Sequence, residues 1–277
     1  MIVCSLRVSL SRQPANHLKT VTRNISASEY HLRRTRLASL LPRGSIAIFP
    51  SAPLQYRAGV VFHEFHQNTD FLYLTGWCES SPAVGVLEVL DGEGDYRWTM
   101  FVTPERDEWD TQWNGPVNGV VAAMDVWNAD EAYRIQEMDE QLPRILNGGR
   151  SGGSRVVYAT KSDESTVLLN NLGHHSPSLP GVPIHDLSAK IAELRAVKST
   201  GEITNMRLAG RISGRGFNRA MAHLWKTEAS LWAYLAWRFK SAGCEKEAYV
   251  PVVAGGKNAC TIHYTRNDEE LRWVFAA

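Results

Sequence analysis

Hydrophobic and polar positions divide the chain into two textures. As far as Thr160, short runs of β-branched and aromatic residues alternate with helical patches; beyond Asp186 apolar positions recur at three- and four-residue spacing. Ser26 and Glu29 have the S-x-x-E spacing of a capping box and open an amphipathic helix with Tyr30, Leu32, Leu37 and Leu40, which Pro42 and Gly44 end. A strand follows at Ser45 to Phe49. Ala83 to Val89 and Tyr96 to Val102 read as a hairpin across Asp91-Gly92-Glu93-Gly94. Ala129 to Leu142 reads as a helix, Arg155 to Thr160 as a strand, Ser162 to Leu172 as a helix, and the Pro- and Gly-rich passage Gly173 to Pro183 as a domain boundary.

The second texture begins with Asp186, a cap for Leu187 to Val197. Ser199 and Glu202 form another capping box and open a helix with Ile203, Met206, Ala209, Ile212 and Phe217 on or near one face. Thr227 caps a helix from Glu228 to Ala242, stopped by Gly243. Two β-like runs, Tyr249 to Ala254 and Ala259 to Tyr264, flank Gly255 to Asn258 and predict a second hairpin. Strand alternation then sends His263 and Tyr264 to opposite faces.

Composition narrows the classes of function. A chain of 277 residues, 44% hydrophobic and 21% charged with a formal net charge of +1, is an ordinary globular sequence with no electrostatic reason to seek nucleic acid. Its apolar runs are strand-sized, well short of the ~20 residues of a membrane span. The four cysteines, Cys4, Cys78, Cys244 and Cys260, form no C-x-x-C pair, which suits a reducing compartment. Cys260, on an alternating strand, is expected to be a small buried hydrophobe, and its three-residue offset from His263 puts the two on opposite faces, unsuited to nucleophilic catalysis. Residues 1–28 carry Arg7, Arg12, Lys19 and Arg23 and no acid, the composition of a transit-like leader, with an untargeted tail as the alternative.

Three further stretches invite chemistry. His63, His66 and Asp70 do not have His-Glu-x-x-His spacing and make no convincing metal set. The glycine-rich Asn147 to Ser154 lacks phosphate-loop spacing. Glu105 to Gly119, with Trp109 and Trp113, reads either as a recognition loop or as a loop pinned to the core by its tryptophans.

Gln67-Asn68-Thr69-Asp70-Phe71-Leu72-Tyr73-Leu74-Thr75-Gly76 resembles the signature of the aminopeptidase P N-terminal domain, a polar lead into an aromatic-rich strand and a Gly turn. Glu193-Leu194-Arg195-Ala196-Val197-Lys198, followed by Glu202-Ile203, is similar to the approach to that family's catalytic domain. Ala248 to Asn267, with His263-Tyr264-x-x-Asn267, is similar to a block within it. With the basic leader, Arg33-Arg34-Thr35-Arg36 and Thr75-Gly76-Trp77, the likeness favours the mitochondrial branch of intermediate-cleaving peptidases related to Xaa-Pro aminopeptidase 3.

The resemblance implies an α/β (α+β) chain: a leader at 1–28, a mixed-sheet N-terminal domain at 29–183, and the beginning of a pita-bread metallopeptidase domain at 184–277. It implies two divalent ions, usually Mn2+, that activate water against the first peptide bond. His263, and with it Tyr264 and Asn267, match substrate-side positions. The family's metal ligands lie beyond Asn267, and none is placed here, so the chain is expected to be C-terminally truncated, to bind no Mn2+ and to be inactive. Peptide or protein N-termini are the expected substrates and a homodimer the expected assembly; the location is mitochondrial, with cytoplasmic as the alternative. A non-catalytic dimerisation or binding module is the alternative function. The residues after Pro183 are expected to leave helix faces uncovered.

Overall fold

The structure is a computed structural model that describes residues 20–147, 156–160 and 184–271. Contacts group the described residues into two units: Ser26–Val197 lies in one, and Thr22–Ile25 belongs with the residues from Lys198 onward in the other. The first opens with α1, Ala27–Ser39, whose N-cap Ser26 accepts from the Glu29 N–H as the capping-box spacing predicts. β1, Ile46–Pro50, follows, then an exposed ribbon of Tyr56–Ala58 against Val61–Phe62 and α2, Thr69–Thr75. The hairpin β2, Ala83–Val89, and β3, Tyr96–Val102, has the expected ends, with Ala83 opposite Val102 and Val89 opposite Tyr96. Then come α3, Glu108–Asn114; α4, Gly119–Asp125; β4, Glu131–Arg134; α5, Met138–Asn147; β5, Val157–Ala159; β6, Ile184–Asp186; and α6, Ser188–Ala196.

Among the described residues these strands make one six-stranded sheet in the order β6-β5-β1-β2-β3-β4. β1, β2 and β3 run antiparallel to their neighbours in that trio, while β5, β6 and β4 join in parallel. The inner strands β5, β1, β2 and most of β3 are buried on both faces and read as continuous apolar runs, whereas the edge strands β6 and β4 are exposed or half-buried. On one face Ala47, Phe49, Leu87, Trp98 and Met100 pack with α1, α2, α4 and α6; on the other Ile46, Ile48, Val86 and Phe101 meet Leu142 and Leu146 of α5. Gly85 is required by a close approach: a Cβ there would stand 2.2 Å from the Trp98 ring.

Several local expectations change. Phe71 to Thr75 is helical, not a strand, because Asn68 Oδ1 accepts from the Asp70 and Phe71 N–H groups and Gly76 ends the turn in the left-handed region at φ 73°. The helix expected at Ala129 to Leu142 is strand β4 followed by α5. The stretch before α5 pairs with β3, and the Asp130 carboxylate accepts from the Trp98 N–H at 2.7 Å.

Leu32 of α1 and its C-cap Leu40 are exposed, whereas Arg33 and Arg34 are buried. The carbonyls of Tyr73 and Leu74, left over at the end of α2, accept from Arg33 at 2.9 Å and Arg34 at 3.0 Å. Arg34 also donates to the Tyr96 hydroxyl and lies 5.0 Å from the Trp98 ring centroid. α6 stays with this unit: Tyr73 donates to the Leu194 carbonyl at 3.2 Å, and Arg195 pairs with Asp70. The helix expected at Ser162 to Leu172, the glycine-rich stretch from residue 148 and the passage Gly173 to Pro183 lie outside the described residues.

The second unit contains α7, Thr200–Ala220, and α8, Glu228–Ser241. Ser199 and Glu202 make the expected reciprocal box. Ile212, Ala220, Leu235, Phe239 and Cys244 form the core between the helices. Only Ala209 and Ile212 of the expected α7 face are buried, because one facing helix covers one groove; Ile203, Met206 and Phe217 are exposed.

Candidate functional site

The segment that follows α8 is where sequence pattern and structure part most clearly. The hairpin predicted for Tyr249 to Tyr264 is absent: the stretch is a loop containing one 3-10 turn, Gly256–Cys260. Its backbone groups are taken by two buried polar side chains in place of a ladder. Asn267, in the left-handed region at φ 53°, accepts from the Val253 N–H at 2.6 Å and donates to the Pro251 carbonyl at 2.9 Å and the Thr265 carbonyl at 3.1 Å. An asparagine tolerates that conformation and mimics a strand partner with its amide.

The second anchor is Glu228, at the start of α8 and fully buried. One carboxylate oxygen accepts from the Gly255 N–H at 2.8 Å and the Asn258 amide at 3.4 Å. The other accepts from the Tyr264 hydroxyl at 2.5 Å and the Glu269 N–H at 3.1 Å. The backbone completes the clasp, with Glu228 N–H donating to the Glu269 carbonyl at 2.9 Å and Leu271 N–H to the Lys226 carbonyl at 2.9 Å. Burial pushes the Glu228 carboxyl up, but these hydrogen bonds outweigh it and hold the group below the usual carboxylate value. The helix N-terminus favours the same charge. The hydrogen bond to Glu228, then burial, then the charges of Glu228, Glu269 and Asp268 push the Tyr264 phenol up to about 12.

Of the three substrate-side candidates, Tyr264 and Asn267 are buried and their polar atoms are engaged within the loop. His263 is exposed beside Ile262, on the outward side. Cys260 is exposed as well, not the buried hydrophobe expected, since it ends a 3-10 turn and does not alternate along a strand. Glu228 escaped sequence reasoning: an acid just after a threonine cap is ordinary, and its partners lie 27 to 41 residues downstream.

Elsewhere, Trp109 and Trp113 are 69% and 71% exposed and contact each other edge to face, which overturns the reading that they pin their loop to the core. His63 and His66 are exposed, and Asp70 is paired with Arg195. Among the described residues no three His, Cys, Asp or Glu side chains converge as metal ligands. The best-placed carboxylate, Glu228, already accepts four donors. These residues therefore do not fit a dinuclear metal site. No described helix is long and apolar enough to cross a membrane.

Comparison with known proteins bears on both units. The family described as aminopeptidase P, N-terminal domain, matches residues 30–154, and metallopeptidase family M24 matches residues 204–273. Intermediate cleaving peptidase 55 of Saccharomyces cerevisiae is 37% identical over 259 residues, covering 91% of this chain and 50% of the relative. Its mitochondrial counterpart in Arabidopsis thaliana is 36% identical over 254 residues, covering 91% of this chain and 49% of the relative. The crystal structure of the yeast enzyme, lacking its N-terminal 58 residues, aligns with a TM-score of 0.76 at 35% identity over 91% of this chain and 56% of that one. The chain thus spans about half the length of the curated relatives it matches.

Proposed function

Because this chain belongs to the aminopeptidase P family, with an aminopeptidase P N-terminal domain followed by a metallopeptidase family M24 segment, we propose that it is part of a manganese-dependent metallo-aminopeptidase system removing N-terminal residues from peptides or imported mitochondrial proteins. The observation that carries this reading is the Pro251 to Glu269 loop. Glu228 and Asn267 fix its backbone, and the M24 match runs through it. His263 stands outside the clasp and is the residue we assign to the substrate side, with Tyr264 and Asn267 holding the loop that presents it. Metal ions in this family lower the pKa of a bound water and polarise the scissile carbonyl. The described residues supply that loop, and we propose no turnover for these 277 residues by themselves.

Incubating the purified chain with Mn2+ and with Xaa-Pro peptides or mitochondrial precursor peptides, while measuring bound metal, tests the reading. The expected result is no release of N-terminal residues and no stoichiometric manganese; either one overturns the assignment of inactivity. A non-catalytic module that pairs with a second copy is favoured by the exposed Trp109 and Trp113. Sedimentation equilibrium that gives a monomer at all concentrations removes it.

A further inference from the structure

The charge on the two helices of the second unit is one-sided in a way the peptidase reading leaves unused. Arg207, Arg211, Arg215 and Arg219 recur every fourth residue along α7, so they share one ridge and span about 18 Å. All four are exposed. Like charges at that spacing weaken a helix, and each helix has a single acid at its N-terminal end, Glu202 in α7 and Glu228 in α8. Both of those acids are occupied in holding backbone N–H groups. Among the described residues none of the four arginines has a carboxylate within ion-pair distance. A cation at a helix C-terminus is ordinary and accounts for Arg219 alone.

The ridge ends at a cavity of about 390 Å³ between α7 and α8, lined by Arg215, Arg219, Asn218 and, from the facing helix, Arg238, over a floor that includes Ile212 and Gly216. Pockets of this size hold small ligands. Arg238 is partly buried, its Nε is fully buried, and that Nε donates to no acceptor among the described residues. Three guanidinium groups lining one cavity repel one another, and phosphate oxygens offset that repulsion by accepting from them in fork geometry. The geometry points to a binding site for a small phosphate-bearing ligand in this cavity, with Arg215, Arg219 and Arg238 converging on the phosphate and Asn218 at its rim. This site is separate from the loop assigned to peptide and does not rest on that assignment. Its ligand is a free phosphate compound or a phosphate headgroup of a lipid, which present the same oxygens.

Titration calorimetry of the full chain with inorganic pyrophosphate at low salt, and flotation with phosphatidylcholine vesicles with and without phosphatidate, distinguish the two sources. R215A/R219A replaces two exposed arginines and leaves the helix core untouched; R215K/R219K keeps charge without the fork. R36A/R43A is the control, removing the same charge from exposed positions in the first unit. The expected result is pyrophosphate binding that weakens about tenfold or more in R215A/R219A, falls between in R215K/R219K and is unchanged in the control. Flotation on phosphatidate vesicles that is lost in R215A/R219A, without pyrophosphate binding, supports the same site with a lipid as its ligand. No binding to either probe, an equal loss in R36A/R43A, or tighter capture of a glutamate-rich peptide through these arginines overturns the proposal.

Discussion

Replacing Glu228 by Gln tests whether one buried carboxylate shapes the loop. The two oxygens accept from Gly255 N–H, Asn258, Tyr264 and Glu269 N–H. An amide nitrogen put in place of either oxygen meets one backbone N–H, which cannot turn away, whereas the Tyr264 hydroxyl and the Asn258 amide can. One orphaned buried N–H costs about 1–3 kcal/mol, and exchanging charge-assisted for neutral hydrogen bonds adds to it, so about 2–4 kcal/mol is the expected loss. Amide exchange at Gly255 and Glu269 should then be faster by about 30-fold or more, since about 2 kcal/mol of opening free energy corresponds to that ratio. Glu202→Gln, whose amide oxygen still accepts from the Ser199 N–H, is the control and should cost under about 1 kcal/mol. Equal protection at Gly255 in wild type and Glu228→Gln would show that the carboxylate does not hold the loop, and the account of Glu228 fails.

The same clasp fixes how the loop responds to pH. The folded Glu228 pKa lies below its ordinary 4.5, so its contribution is complete above that value and drains as pH falls through the folded value. Tyr264 has the opposite sign: raised from 10.0 to about 12, it contributes fully below pH 10 and loses that contribution between those values, visible as delayed tyrosinate absorbance that Glu228→Gln advances. Gly85→Ala should lower the urea midpoint, with a cost of about 1–3 kcal/mol, because its Cβ would overlap the Trp98 ring; an unchanged midpoint would mean that the indole has room to move. Iodoacetamide should modify Cys260 readily and spare Cys244 in the α7–α8 core, and mass-spectrometric mapping that finds Cys244 alkylated first would contradict the packing of that helix pair.

Signals that act over a few residues were readable in the chain. The Ser26 N-cap, the Ser199 box, the β2–β3 hairpin and the Thr227 cap of α8 form where propensity, turn chemistry and burial agree. Misreadings arose where a distant partner decides. Leu32 and Leu40 read as part of the apolar face, yet they are exposed and Arg33 and Arg34 are buried, because the open carbonyls of α2 take the guanidinium donors across 40 residues. Phe71 to Thr75 has the composition of a strand, and only its Asn68 and Gly76 caps turn it. Tyr249 to Tyr264 has hairpin chemistry, yet Glu228 and Asn267 take the N–H groups that a ladder would use. His263 was identified from its neighbours, but the buried acid that sets the loop around it leaves no local mark.

The separation between Glu228 and Tyr264, 36 residues, also sets an order of events during synthesis. At 5–20 residues per second the carboxylate leaves the ribosome roughly 2–7 s before its phenol partner. The carboxylate is therefore available before any of its partners, and Glu269, 41 residues downstream, is the last of them to emerge.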